Sequence, residues 1–237
     1  MSKISTVCAA IVIGLGITAG GYFIGNGIQQ LKTNNRYVNV RGLSEKDVLA
    51  DTAQLSISIT DKGDVPGELF PKIAAAQDKV IAALKAQGLK DDEIQTGQWS
   101  TDRTRPEDRK NDPSLPLYTA WGSVSVKTHN VTAIAKVMDQ LNALQMATQG
   151  AIADSNVSYS FNGIGKLRAE MIAAATKDAR NAALQFAADS GSQVGSIRNA
   201  SQGVFQILAN GSDSDDGSVM NKTVRVVTTV TYELRDQ

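Results

Sequence analysis

The chain has 237 residues, with 24 basic and 24 acidic side chains and a formal net charge of zero at pH 7. Because no excess of positive charge attracts phosphate backbones, this balance disfavours nucleic acid as a partner. Aromatic residues make up only 5% of the chain, and the abundant Ala, Val, Ile and Leu suit alanine-rich helices packed on strands of valine and isoleucine.

An uncharged apolar run, residues 6–24 (TVCAAIVIGLGITAGGYFI), begins almost at the N-terminus. A run of about 18 or more apolar residues is long enough to cross a bilayer as a helix, whereas the apolar part of a signal peptide has about 7–15 residues. The length of the run and the aromatic pair Tyr22 and Phe23 favour an uncleaved anchor. Cleavage near residues 18–20 stays open as the alternative, because these residues are small enough for a signal peptidase site.

The orientation of this segment is weakly encoded. Lys3 precedes the apolar run, and Lys32 and Arg36 follow it, so the positive-inside rule gives nearly a tie. The very short N-terminal tail favours a cytoplasmic N-terminus and export of the large domain. Cys8 lies inside the run and is the only cysteine, which excludes disulfides, a catalytic cysteine and thiolate metal sites from the remainder.

We predict three regions: a signal anchor or transmembrane segment at 1–24, a tether rich in Gly, Asn and Gln at 25–36, and a folded domain at 37–237. In that domain, residues 37–41 alternate and stop at Gly42, and residues 53–59 form a cleaner strand with one buried face. Asp64 then caps a helix with proline in its first turn. The apolar stripe of this helix is Leu69, Ile73, Ala76, Val80 and Leu84.

The middle of the chain predicts a hairpin followed by a second helix. Residues 94–101 and 118–126 alternate as strands, and the charged segment between them, 102–117, contains three prolines and no periodicity, as in a long hairpin loop. Asn130 caps the helix. Its apolar stripe is Ile134, Val137, Met138, Leu141 and Leu144.

The longest helix is predicted at 164–190, where Gly191 stops it. Its stripe is Leu167, Met171, Ala174, Ala175, Ala179, Ala182, Ala183 and Phe186, and the small residues allow close approach to a sheet or a helix. The remaining elements are strands at 157–161, 194–200 and 203–208, a polar loop at 210–221 and a final strand at 224–234. These patterns predict an α+β fold, a predominantly antiparallel sheet with three amphipathic helices packed on it, preceded by one N-terminal transmembrane helix.

The chain offers few residues for chemistry. His129 is the only histidine, and without a G-x-S-x-G elbow we interpret it as a solvent-facing turn residue. The acidic loop at 213–217 lacks calcium-loop spacing, and the glycines at 162–166 lack the full phosphate-loop pattern. Trp99 and Trp121 are placed on neighbouring strands, where they could pair. We therefore assign no catalytic residue, no cofactor-binding residue, no metal ligand and no cofactor.

Three groups of residues resemble motifs of the SIMPL-domain family of bacterial cell-envelope proteins. The opening pair, VNVRGLSE at 38–45 and DTAQLSI at 51–57, is similar to "V-x-V-x-G-x-G-E … P-D-x-A-x-L". The segment LKDDEIQT at 89–96 is similar to "G-[IV]-x-x-x-D-I-x-T". The closing pair, AAATKDARNA at 173–182 and GSQVGSI at 191–197, resembles "A-x-x-D-A-[RK]-x-K-A" followed by "G-x-x-[LV]-G-x-[IV]".

The resemblance spans about residues 37–235 and departs from the family pattern at two places. Leu43 and Ser44 replace the second glycine of the opening motif, and Ala50 stands where proline is usual. The resemblance implies an α+β domain in the periplasm, in a family where some relatives form ring-like oligomers and others are associated with oxidative-stress phenotypes. It implies no catalytic residues.

From these observations we expect a non-enzymatic protein anchored in the bacterial inner membrane by a single pass, with its C-terminal domain in the periplasm. If the signal is removed, the protein is soluble and periplasmic. The expected partners are the membrane, a second copy in a homo-oligomer, for which the alanine-rich face of 164–190 is one surface, and an envelope protein. Nucleic acid is not an expected partner.

Two alternatives remain. One is a periplasmic module that binds a small molecule or peptide, with the loops at 102–117 and 210–221 as lids. The other is an enzyme, for which the only clustered carboxylates are Glu107, Asp108, Asp213 and Asp215.

Overall fold

The computed structural model describes residues 14, 16, 18, 20–22 and 36–236. Those between 14 and 22 are helical, and the rest of the predicted transmembrane segment and nearly all of the tether lie outside the described residues. Within the described part of the chain, no helix combines the length and the apolar character needed to cross a membrane.

From residue 37 onward, the chain alternates strands and helices. The strands are β1 (Tyr37–Leu49), β2 (Thr52–Gly63), β3 (Ile94–Thr96), β4 (Ser100–Arg103), β5 (Tyr118–Thr128), β6 (Ile152–Ser160), β7 (Ser192–Gln202), β8 (Gln206–Ala209) and β9 (Asn221–Asp236). The helices are α1 (Pro66–Ala86), α2 (Pro106–Asn111), α3 (Val131–Asp139), α4 (Leu141–Ala147) and α5 (Ile164–Asp189), with a 3-10 turn at Asp91–Glu93.

The strands form two sheets. One has the order β1-β9-β7 with β8 also paired to β9, and the other has the order β3-β5-β2-β6 with β4 also paired to β5. The pairings of β7 and β8 with β9, and those of the second sheet, are antiparallel. The α+β class is confirmed, but the prediction of one sheet with three helices is wrong. Alternation shows that one face of a strand is buried and does not show which strands pair.

The chain divides into two compact units. The first consists of Met1–Ser44, of which only part is described, with Glu170–Val204 and Val226–Gln237, and the second consists of Glu45–Ala169 and Phe205–Arg225.

In the second unit, β2 and β5 share a buried face with α1, α3 and α4. Their register places Ile57 opposite Val124, and both side chains are buried. The predicted stripe of α1 is confirmed, since all five of its residues are buried. The predicted Asp64 cap is wrong. Val65 is the capping residue and makes no side-chain hydrogen bond, while Asp64 Oδ1 accepts the backbone N–H of Leu117 at 2.9 Å.

The helix predicted after Asn130 is interrupted. Asn130 Oδ1 accepts the N–H of Ala133 at 3.3 Å, which confirms the cap, but Gln140 separates α3 from α4. The apolar spacing continues across this break, so the sequence pattern alone indicates one helix.

The segment 102–117 is more ordered than the predicted loop. It contains α2, with Pro106 in the first turn, where a fixed φ favours helix initiation. The backbone N–H of Thr104 donates to Leu117 O at 2.8 Å, and this bond closes the base of the segment.

The predicted pairing of the two tryptophans is wrong. Ser100 lies opposite Trp121 in the sheet, whereas Trp99 stacks on Phe70 of α1 at 5.8 Å between ring centroids. Trp99 Nε1 also donates to Gln77 Oε1 at 2.7 Å. The irregular residues between β3 and β4 change which face the next side chain occupies, and sequence alternation cannot register this change.

In the first unit, a row of alanines packs α5 against β1 and β9. The buried residues of α5 are Met171, Ala175, Ala179, Ala183 and Ala187. The predicted stripe is wrong in the last helical turn, where Phe186 is 60% exposed and Ala187 is buried in its place. Ala179 and Ala183 pack in one cluster with Val40, Val230 and Tyr232. The buried alanines of this face are therefore part of the core of this unit.

Gly42 does not end β1 as predicted. It lies inside the strand, where a Cβ atom would be 1.9 Å from Ala175 O and 2.4 Å from Ala179 N. The adjacent N–H of Leu43 donates to Asp178 Oδ2 at 2.9 Å. Two of the segments that resemble family motifs thus meet in the structure, one in β1 and one in α5.

Candidate functional site: a polar cleft beside His129

A cleft of about 530 Å³ lies where β2 begins and β5 ends. Its lining residues are Thr52, Gln54, Asp92, Glu93, Gln95, Ser125, Val126, Lys127, Thr128 and His129. Small-molecule sites are usually lined mainly by apolar side chains. Val126 is the only aliphatic residue of this lining, so the cleft suits a polar ligand held by hydrogen bonds.

The sheet register builds the cleft. The β2–β5 pairing places Ala53 opposite Thr128, so the first residue of β2, Thr52, lies beside the end of β5. The β3–β5 pairing places Ile94 opposite Val126, which brings the preceding Glu93 to the same end of the sheet.

His129 has a defined orientation although its side chain is exposed. Its Nδ1 lies 2.8 Å from Asp51 O and 3.4 Å from Thr52 Oγ1. A carbonyl oxygen only accepts hydrogen bonds, so Nδ1 carries the proton, and in the neutral ring Nε2 keeps its lone pair. The solvent-facing position predicted for His129 is confirmed, but the ring is held by the chain in one orientation.

Glu93 forms the opposite wall. Thr128 Oγ1 donates to Glu93 Oε1 at 2.6 Å, and Lys90 N–H donates to Glu93 Oε2 at 2.9 Å. The hydrogen bond from Thr128, followed by that from Lys90, lowers the pKa of the Glu93 carboxyl, and the nearby charges of Lys90 and His129 act in the same direction. Glu93 is therefore an ionised, internally bonded acceptor at neutral pH.

Asp51 occupies the start of α5. The N–H of Asn162 donates to Asp51 Oδ2 at 2.9 Å, and Asn162 Nδ2 donates to Asp51 Oδ1 at 3.1 Å. Partial burial alone would raise the pKa of the Asp51 carboxyl, but the hydrogen bonds from Asn162, Thr52 and Gly163 together outweigh burial and lower it. The Asp51 carboxylate thus occupies the N–H groups that a phosphate would have to bind at residues 162–166. This agrees with the incomplete phosphate-loop pattern in the sequence.

Several polar groups of the cleft remain available to a ligand. Within the described residues, the side-chain amides of Gln54 and Gln95, the ammonium of Lys127 and the carboxylate of Asp92 form no hydrogen bond or ion pair. His129 Nε2 adds one acceptor. No described hydroxyl lies within hydrogen-bond distance of that nitrogen, so this arrangement can bind a polar molecule but contains no activated nucleophile of the serine–histidine kind.

The four carboxylates considered for an enzyme have other surroundings. Glu107 and Asp108 lie exposed in the first turn of α2. Asp213 lies 3.6 Å from Arg225, and Asp215 accepts from Lys222 Nζ at 2.7 Å. Among the described residues, no group of three or more His, Cys, Asp or Glu side chains could hold a metal ion.

Sequence reasoning interpreted His129 as a turn residue and did not indicate the cleft or the residues around it. Thr52, Glu93 and Thr128 are far apart in the chain, and they meet only through the pairing of β2 and β3 with β5. The one available signal was positional, since each lies where a predicted strand begins or ends.

Comparison with known proteins identifies a family of unknown function. Residues 38–232 match the model of the SIMPL family, described as a protein of unknown function (DUF541). The 26 kDa periplasmic immunogenic protein of Brucella melitensis biotype 1 is 24% identical over 115 residues, which cover 47% of this chain and 46% of the relative. The match therefore spans about half the length of that curated relative.

Two solved structures show weak similarity. AtUAH in complex with (S)-hydroxyglycine shares 13% identity over 57% of this chain and 34% of its own, with a TM-score of 0.26. An uncharacterized conserved protein from Listeria innocua shares 12% identity over 77% of this chain and 91% of its own, with a TM-score of 0.24. Scores this low support no argument about fold or function. The family match, in contrast, covers most of the chain, and the protein belongs to the SIMPL (DUF541) family.

Proposed function

We propose that this protein is a non-enzymatic, membrane-anchored protein of the periplasm that binds a second copy of itself, or an envelope protein, by strand addition at β7. The observation that carries the proposal is the open edge of this strand. In the sheet order β1-β9-β7, β7 is terminal, and residues 196–202 are exposed on both faces. An edge strand with unpaired backbone groups is a template for another strand.

The hydrogen-bond pattern identifies which backbone groups are open. Gly203 N–H donates to Val227 O at 2.8 Å, next to the regular end of the β7–β9 register. Bonded and non-bonded pairs alternate in an antiparallel ladder. The N–H and C=O groups of Ala200 and Gln202 therefore point away from β9, toward the open edge.

The test is Ala200→Pro in the full-length chain in detergent. Proline removes the outward N–H of residue 200 while leaving the bonds to β9 in place, as is tolerated on edge strands. Ala200→Ser, which keeps that N–H, is the matched control. We expect the wild type and Ala200→Ser to assemble, and Ala200→Pro to sediment as a monomer with an unchanged unfolding midpoint. A wild type that is already monomeric would contradict self-association, and assembly by Ala200→Pro would contradict strand addition at β7.

The anchor part of the proposal rests on the apolar run at 6–24 and is supported by the periplasmic name of the Brucella relative. Intact mass spectrometry of the protein from membrane and periplasmic fractions tests it. We expect the full-length mass in the membrane fraction. A periplasmic chain that begins near Gly21 would show instead that the run is a removed signal.

A second candidate function is binding of a polar small molecule or peptide in the His129 cleft. The supporting observation is the set of unpaired polar groups in the cleft. A ligand that binds the native state raises the unfolding midpoint, so a thermal-shift screen with polar envelope metabolites tests it. The shift should be smaller in Lys127→Met and unchanged in Lys62→Met. A hit that shifts both variants like the wild type binds elsewhere.

The loop at 210–221 does not have the lid geometry that this second function was expected to use. Lys222 Nζ, which is fully buried, donates to Asp215 Oδ1 and to Asp216 O, each at 2.7 Å. Gly217 O accepts the N–H of Tyr159 at 2.7 Å. The loop is therefore fixed to the body of its unit.

A further inference from the structure

A second cavity, of about 440 Å³, is formed by β4, α2 and the segment that returns to β5. Its lining residues are Arg103, Thr104, Pro106, Arg109, Lys110, Pro113 and Leu117. Three cations and no carboxylate line it, although residues 102–117 contain four basic and four acidic residues. The cavity shares no lining residue with the His129 cleft.

Helical spacing separates the charges. In α2, Pro106, Arg109 and Lys110 are three or four positions apart and lie on one face. Glu107 and Asp108 fall outside this face. A segment that is neutral in sequence therefore presents a basic surface to the cavity.

One of the three cations is fixed in position by the chain. Arg109 Nε donates to Leu115 O at 3.0 Å, and Arg109 Nη2 lies 3.6 Å from Asp64 Oδ1. The Arg109 side chain is 34% exposed. Asp64 offsets part of this charge. Within the described residues, Arg103 and Lys110 have no ion-pair partner, so their charges are available to an anion.

Of the four other lining residues, Thr104 is polar and three are apolar. Pro106, Pro113 and Leu117 offer carbon surface beside the cations. Guanidinium groups bind phosphate oxygens in pairs, and lysine adds a point charge. A phosphate monoester carries a charge of about −1.5 to −2 at pH 7, which matches the positive charge left after the contribution of Asp64.

We propose that this cavity binds a phosphate monoester that carries an apolar group. Arg103, Arg109 and Lys110 bind the phosphate, and Pro106, Pro113 and Leu117 pack against the apolar group. The site is independent of the strand edge at β7, so its presence or absence leaves the proposed function unaffected.

Isothermal titration of the full-length protein in neutral detergent tests the proposal, with phenyl phosphate as the probe. Phenol, which lacks the anion, should not bind, and inorganic phosphate, which lacks the apolar group, should bind more weakly. Arg103→Gln and Lys110→Gln should each weaken phenyl phosphate binding by about tenfold, the effect of one charge-assisted hydrogen bond. Arg105→Gln is the matched control, since Arg105 lies in the same segment but outside the cavity lining, and its affinity should equal that of the wild type.

A lack of binding at millimolar phenyl phosphate would overturn the proposal, as would equal affinities in the wild type, Arg103→Gln and Lys110→Gln. Equal affinity for inorganic phosphate would overturn the role of the apolar walls. Competition with mixed micelles of the same detergent and phosphatidic acid identifies the source of the ligand. If phosphatidic acid displaces phenyl phosphate, the natural ligand is a lipid headgroup. If it does not, the natural ligand is a soluble ester. Both results support a phosphate site.

Discussion

Gly42 permits the close contact between β1 and α5. A Cβ atom at this position would meet the backbone of α5 at Ala175 and Ala179, and helix backbone cannot move aside as the end of a flexible side chain can. Ala179 has the smallest side chain that still keeps a helix rigid. The pair of small residues therefore sets the distance between strand and helix.

Substitution of Gly42 by alanine should lower the free energy of unfolding by about 3 kcal/mol, at the upper end of the usual cost of overpacking. Urea denaturation measures this change. Gly67→Ala is the matched control, because the space around Gly67 in α1 is open, and alanine there should raise stability by about 0.5–1 kcal/mol. Similar stability of Gly42→Ala and wild type would mean that β1 is not held against α5.

The hydrogen bonds from Thr128 and Lys90 make the contribution of Glu93 to stability depend on pH. A carboxyl whose pKa is lower in the folded state than its ordinary value of 4.5 stabilises the fold above that value. This contribution is lost as the pH falls through the lower, folded-state pKa.

Glu93→Gln should therefore be less stable than the wild type at pH 7, and the difference should shrink as the pH falls from about 5 to about 3, because protonation makes the wild-type side chain neutral as well. Urea denaturation at a series of pH values measures the difference. Glu107→Gln controls for the loss of an exposed carboxylate. If the difference in unfolding free energy between Glu93→Gln and wild type is the same at every pH, the ionised Glu93 carboxylate does not stabilise the fold.

At the scale of elements, the position of the loop at 210–221 depends on the buried ammonium group of Lys222. Burial of an ammonium group is itself costly, so its removal lowers global stability chiefly when the partner carboxylate is left buried and unpaired. The carboxylate of Asp215 is half exposed, so water can solvate it when the lysine is absent. The loop loses its attachment while the core keeps its packing.

Lys222→Met should accordingly leave the global free energy of unfolding within about 1 kcal/mol of wild type but increase amide hydrogen exchange in residues 210–221. Mass spectrometry of exchanged peptides separates these two effects. Lys62→Met, at an exposed position in β2, should change neither. Unchanged exchange in Lys222→Met would show that the contact of Gly217 with Tyr159 is sufficient to hold the loop.

The elements that sequence patterns predicted best are those with long, one-sided burial. The stripe of α1 and most of that of α5 are confirmed because a period near 3.6 over many residues admits few other structures. The break at Gln140 and the change of face between β3 and β4 were missed, since neither alters the local alternation of apolar residues. The His129 cleft was missed for a related reason, because Thr52 and Thr128 become neighbours only through strand register.

At the scale of the whole molecule, the net charge is zero, but positive and negative side chains are separated locally. The basic cavity at α2 is too small to follow a nucleic acid backbone, which requires positive charge spread along a surface. Fluorescence anisotropy with labelled single- and double-stranded DNA should show no binding at about 150 mM salt. Binding with a steep dependence on salt concentration would contradict this expectation.

The pairing of β1 has a consequence for the order in which the chain folds. The five-stranded sheet is complete within residues 52–160, but among the described strands β1 pairs only with β9, which begins at Asn221. Contacts between such distant segments form late, because a long loop must close first. During synthesis the first strand thus stays unpaired, and it is open to chaperones and to other chains until the last residues arrive. Loss of the final strand would leave β1 without a partner for good.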